Sequence, residues 1–251
     1  MYSERVYVGR SVEISIWFNT IYALIASCAL IFFMIIGAVY TPSNRVRSMT
    51  QHFVSGVVFA AVAVELLPKI AQHETRWTIS IGFIFGTLLM LFLMWLTHRF
   101  EKNKSSTTGV LPLGLLIAML VDLFVDGMLI GIAFIAGQAS GVLVTVAFAT
   151  CAALLGLAAS LTLKNNHVAI KHYFIWGAWL AIIIPIGTLL GSYVVGKLPA
   201  SYLTETLAFG VAALLYLAAE ELMAEAHHVK DSPLITSMFF WGFLAILLVK
   251  I

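Results

Sequence analysis

Two carboxylates, Asp122 and Asp126, stand in the middle of an apolar stretch that runs from about Leu111 to Ile135. A charge at the centre of a membrane helix costs roughly 2.5–3.5 kcal/mol on insertion scales. Residues four apart share one face of a helix, so the two groups point the same way. The pair therefore marks a polar site inside the bilayer, and a cation or a proton is its natural occupant. A hydrogen bond between helices is the plainer alternative. Gly127 follows the second carboxylate directly and lets a neighbouring helix come close.

Further groups could share this work. Glu220, Glu221, Glu225, His227 and His228 crowd the end of a later apolar run, with Glu221, Glu225 and His228 at i, i+4 and i+7 on one face. Carboxylate with imidazole is a transition-metal pairing, although a solvated helix end would look the same. Glu65, three residues before Pro68, is a candidate vestibule acid, and Cys151 is a soft potential ligand. His52 and His98 border apolar runs and read as interfacial residues, and the methionines read as packing. No glycine-rich phosphate loop follows a strand, and no set of histidines converges at depth, so neither nucleotide chemistry nor a membrane zinc hydrolase is expected.

The elements that must position these groups are membrane helices. The chain of 251 residues is 61% hydrophobic and 10% charged, with a mean hydropathy of +1.01, against about 25% charged in soluble domains. It reads as an all-α polytopic membrane protein in a single domain. A helix needs about 20 residues to cross the bilayer core. Eight such runs are predicted: 14–40, 52–71, 77–98, 110–136, 141–163, 173–196, 203–227 and 233–250. Cys28 and Cys151 both lie in apolar runs and imply no disulfide framework. The N-terminal residues lack the pattern of a cleaved signal peptide, so the first span is expected to be retained. A net charge of +2 gives no reason to expect nucleic acid.

The loops after spans one, three, five and seven hold eight basic residues against six on the other side, which leans toward both termini outside. Trp17, Trp77, Trp95, Trp176 and Trp241 fall near span ends, as an interfacial belt requires. Close helix packing is suggested by Gly82-x-x-x-Gly86, Gly127-x-x-x-Gly131 and Gly187-x-x-x-Gly191. Internal similarity goes further. Glu65-Leu66 in span two aligns with Glu221-Leu222 in span seven, and Asp122-x-x-x-Asp126-Gly127 in span four aligns with Cys151-x-x-x-Leu155-Gly156 in span five. This is the order of a 3+2+3 inverted repeat, an arrangement typical of transporters with a midplane site.

At these residues the chain resembles the ZIP (Zrt-/Irt-like) family of divalent-metal transporters, over most of its length. Asp122, Asp126 and Gly127 stand at the His, Glu and Gly of the family's His-Asn-x-Pro-Glu-Gly motif. Pro185-Ile186-Gly187 looks like the span-six Pro-hydrophobic-Gly segment, Phe209-Gly210 through Glu220-Glu221-Leu222 is similar to span seven, and Glu65-Leu66-Leu67-Pro68 resembles the span-two His-Leu-Leu-Pro. The departures lie at the metal centre. Leu123 replaces Asn, Cys151 and Leu155 replace the span-five His and Glu, and Ile184 replaces the span-six Glu. The second metal position is dismantled, and the histidine-rich loop between spans three and four is reduced to a short linker.

The resemblance implies a transporter that carries a divalent cation (zinc, manganese, iron or similar) toward the cytoplasm by sliding one helix group against another. Asp122 and Asp126, with Cys151, would hold the ion; Glu220, Glu221, Glu225 and His228 would line one end of its path, and Glu65 the other. Carboxylates without imidazole suit manganese or magnesium better than zinc. The expected setting is the cell inner or plasma membrane; the expected partners are the lipid bilayer, the cation and a second copy in a homodimer. No prosthetic group and no enzymatic activity are expected. The competing readings are a transport-inactive relative serving as sensor or partner subunit, and a carrier of protons or a non-metal solute.

Overall fold

Lipid offers no hydrogen-bond partners, so a chain this apolar must satisfy its backbone within its own helices. A computed structural model describes residues 2–71, 76–101, 113–165, 168–169, 171–198, 202–227 and 232–250. They form eight helices long and apolar enough to cross a membrane. These are α1 (Tyr2–Val39), α2 (Asn44–Ala71), α3 (Arg76–Glu101), α4 (Leu113–Ala136), α5 (Gln138–Asn165), α6 (Lys171–Gly196), α7 (Leu203–Met223) and α8 (Pro233–Lys250). All eight coincide with the spans read from hydropathy, and the protein is an all-α polytopic membrane protein.

Two boundaries differ, each for a physical reason. α1 continues as helix back to Tyr2, well before its apolar stretch starts; hydropathy marks the crossing part of a helix rather than its end. α2 starts at Asn44 rather than 52, where the Ser43 side chain caps it by accepting from the Val46 amide at 3.4 Å. Its polar first turns carry Ser48, Gln51 and His52 into the protein, and all three are buried. Trp17, Trp77, Trp95 and Trp241 are exposed on the outer surface, as membrane-interface tryptophans should be.

The helices pack as two groups of four. α1 runs against α5 and α6, and α4 against α6 and α5; in the second group α2 lies along α8, α3 along α7, and α2 touches the end of α7. Thinner contacts (α2 with α5, α3 with α4, α4 with α7) join the groups. Exchanging α1 with α6, α2 with α7, α3 with α8 and α4 with α5 maps this pattern onto itself, apart from the α3–α4 contact. Exchanged helices run through the membrane in opposite senses, as the 3+2+3 inverted repeat requires.

Individual contacts obey the same exchange. A Cβ on Gly127 would lie 2.2 Å from the Ile184 carbonyl oxygen, and one on Gly156 would lie 2.3 Å from that of Leu30. In the other group a Cβ on Gly86 would meet the Phe209 oxygen at 2.6 Å and one on Gly242 the Phe53 oxygen at 2.0 Å. The shift that carries Leu30 to Ile184 carries Ser27 to Ala181, and the Ser27 hydroxyl donates to the Ala181 carbonyl at 2.7 Å. The two halves therefore meet at equivalent residues. Both α2 and α7 also contain a π segment, Val62–Leu66 and Leu217–Met223. Aligning Glu65 with Glu221 carries the first into the second.

α4 and α5 are joined by Gly137 alone, at φ 145°, a backbone conformation that side chains other than glycine rarely adopt. Its amide donates to the Phe134 carbonyl at 3.1 Å, and its own carbonyl accepts from Gly141 at 3.0 Å.

Gly156→Ala should cost about 1–3 kcal/mol or more, because its methyl must displace backbone rather than a side chain. Gly196→Ala, whose Cβ would meet only the Ile135 side chain at 3.7 Å, should leave stability unchanged or slightly raised. Thermal unfolding of the two variants in the same detergent checks the contrast.

Candidate cation site

The dyad sits midway along α4, with Asp122 half-buried and Asp126 only 4% exposed. α5 returns antiparallel from the Gly137 turn and places Cys151, also buried, beside the same face. The third contributor is the π segment of α7. A π turn holds one residue more than an α turn, and Glu221, within it, borders the same cavity as the α4 dyad. Asp122, Asp126, Cys151 and Glu221 all line one cavity of about 160 Å³ and lie within electrostatic reach of one another. Leu154, Leu155 and Leu217 wall it, and Pro42, Val46, Arg47, Thr50 and Gln51 bring it to the loop between α1 and α2.

The lysine ion pairs among the described residues belong to Glu65, and Arg47 is the basic side chain in the cavity's lining. Three carboxyl groups and one guanidinium, that of Arg47, line the cavity, so oxygen donors outnumber basic groups there. The donors are not gathered on one point: among the described residues no three of His, Cys, Asp and Glu come together as a ligand set. The volume accommodates several waters, so a cation here would keep part of its hydration shell.

Of the other predicted site residues, Glu220 and Glu65 do not line this cavity. Glu220 is exposed, as is Glu221, and of the two only Glu221 borders the cavity. Glu65 is buried at the far end of α2, where it accepts from the Ser140 hydroxyl at 2.6 Å and pairs with Lys69 at 2.8 Å and with Lys250. The side chain of Glu225, and His228, lie outside the described residues, as does the side chain of His98.

Leu155, at the position equivalent to Asp126, lines the cavity, whereas Leu123 and Ile184 are fully buried in the core. Leu123 and Ile184 therefore serve as packing. Sequence reasoning missed Arg47, Thr50 and Gln51, which it placed in a loop. It also set His52 at the interface. The ring is in fact fully buried, with Nδ1 on the Ser48 carbonyl at 2.9 Å and the His227 ring 5.2 Å away.

The chain matches no protein-family model and no curated protein. The functional reading therefore rests on the cavity's own chemistry.

A cysteine placed at Leu155, with Cys28 and Cys151 changed to alanine, should react with a membrane-impermeant thiosulfonate added on the face of the 41–43 loop and resist it from the opposite face. Sided labelling in oriented vesicles reads this directly.

Proposed function

We propose that the chain is a ZIP-like secondary transporter that moves a divalent cation toward the cytoplasm through this cavity. The observation that carries the reading is the convergence of Asp122, Asp126, Cys151 and Glu221, from three helices, on one intramembrane cavity that reaches a single face. A closed far side and an open near side are what one end-state of alternating access requires. The near face bears Arg45, Arg47, Arg99 and Lys164 and the opposite face Lys69, Arg76, Lys197 and Lys250; the eight-to-six lean over the whole chain favours the near face as cytoplasmic. In this reading both termini lie outside, in the cell inner or plasma membrane, and the cavity is open inward.

The donor set favours a hard cation. Carboxylate oxygens and retained waters suit manganese or magnesium, while a site with one sulfur and no imidazole is a poor tetrahedral zinc site. Asp122 and Asp126 would bind the ion at depth, and Glu221 would receive it on the way to the mouth. Movement would come from the two four-helix groups shifting against each other across their thinner contacts.

Manganese uptake into proteoliposomes tests this. Asp122→Asn and Asp126→Asn should each lower the rate by about tenfold or more, the equivalent of ~1.4 kcal/mol or more of lost cation stabilisation. Glu221→Gln should have a smaller effect, and Glu220→Gln none. Unchanged uptake in both aspartate variants would sink the proposal. The absence of a ligand trio among the described residues favours one rival, a transport-inactive relative acting as sensor or partner subunit. It predicts manganese binding that depends on both aspartates with no uptake by the parent protein.

A further inference from the structure

The cavity stops short of one face, and the side chains that close it include a charged cluster the site does not use. Glu65 is 3% exposed yet charged, and it is held by Lys69 from its own helix, Lys250 at the end of α8 and Ser140 at the start of α5. Lys69 also donates to the Ala136 carbonyl at the end of α4, at 3.0 Å, and to the Ser140 hydroxyl.

Sorted by helix group, the cluster has two parts. The ion pairs Glu65–Lys69 and Glu65–Lys250 stay within the group of α2 and α8. The bonds to Ser140 and to Ala136 cross to the group of α4 and α5. The crossing bonds are charge-assisted, the stronger kind of hydrogen bond. They are also made to the two ends of the Gly137 turn, which ties α4 to α5.

The cluster lies at the end of the molecule opposite the cavity mouth. From Asp126 to Ala136, at 1.5 Å per residue, α4 spans about 15 Å. That interval is filled by buried apolar side chains, Ile130, Val144 and Phe148 among them. Ser140, Val144 and Cys151 fall at i, i+4 and i+11, along one face of α5 that leads from the cluster to the cation site.

We infer that Glu65, Lys69, Lys250 and Ser140 form a polar latch that holds the two helix groups together on the face away from the cavity mouth. To open the site to that face the protein must break the bonds to Ser140 and Ala136. The ion pairs within the α2–α8 group survive the break, so Glu65 does not emerge as a bare charge. The latch can therefore open without a carboxylate being stranded in a dry interface. This inference rests on the transport reading, since only a transporter needs the second face.

The test uses Val144→Cys as reporter, in a protein with Cys28 and Cys151 changed to alanine, labelled with a membrane-impermeant thiosulfonate on the Glu65 face and in the absence of any divalent cation. Labelling should be slow with the latch intact. Glu65→Gln should raise its rate by about tenfold, corresponding to ~1.4 kcal/mol; the two lysines it releases are 29% and 40% exposed and can be hydrated. Ser140→Ala leaves both ion pairs in place, and should raise the rate by a smaller factor. It decides the matter if Glu65→Gln fails to fold. Unchanged labelling in Ser140→Ala and Glu65→Gln, with thermal stability lowered, would overturn the latch and leave a merely structural ion pair. Because labelling is read without cation, a failed manganese assay would sink the transport reading without deciding the latch.

Discussion

Every backbone amide in this chain has to find its partner inside the chain, because the lipid supplies none. Helices satisfy that demand locally, and the remaining freedom lies in how closely they approach each other. Where a glycine meets a carbonyl of the facing helix, as Gly127 meets Ile184 and Gly156 meets Leu30, the backbones come within reach of each other. Those seams make α1, α4, α5 and α6 one body. The acidic cavity sits at the border of that body, where contact with the second group is thin.

The two acidic sites of the membrane interior show opposite solutions to the same cost. Glu65 is compensated: two ammonium groups and a hydroxyl bind its carboxylate. Asp122, Asp126 and Glu221 pair with no lysine among the described residues and line a cavity, with Arg47 also in its wall. That access to a cavity is what sets them apart from the buried, ion-paired Glu65.

The eight spans and the Asp122–Asp126 dyad were legible because hydropathy and helical spacing are local properties. The weak match between Glu65 and Glu221, and between Asp126 and Leu155, pointed to the repeat that the packing displays. The rest depended on distance. Glu65 reads alone as an intramembrane acid, and its partners Ser140 and Lys250 lie far along the chain. Asn44 to Gln51 look like loop because they are polar, yet they are helical and several line the cavity mouth. Nothing in residue type separates Glu220 from Glu221, yet only Glu221 lines the cavity.

The π turn of α7 also shows what the repeat leaves free to vary. A π segment is an α-helix that has accommodated one additional residue. One in α2 and one at the equivalent place in α7 give both halves the same local geometry, with one acid apiece, Glu65 and Glu221. The same position therefore carries two opposite assignments: one acid is held by two lysines, and the other opens on the cavity.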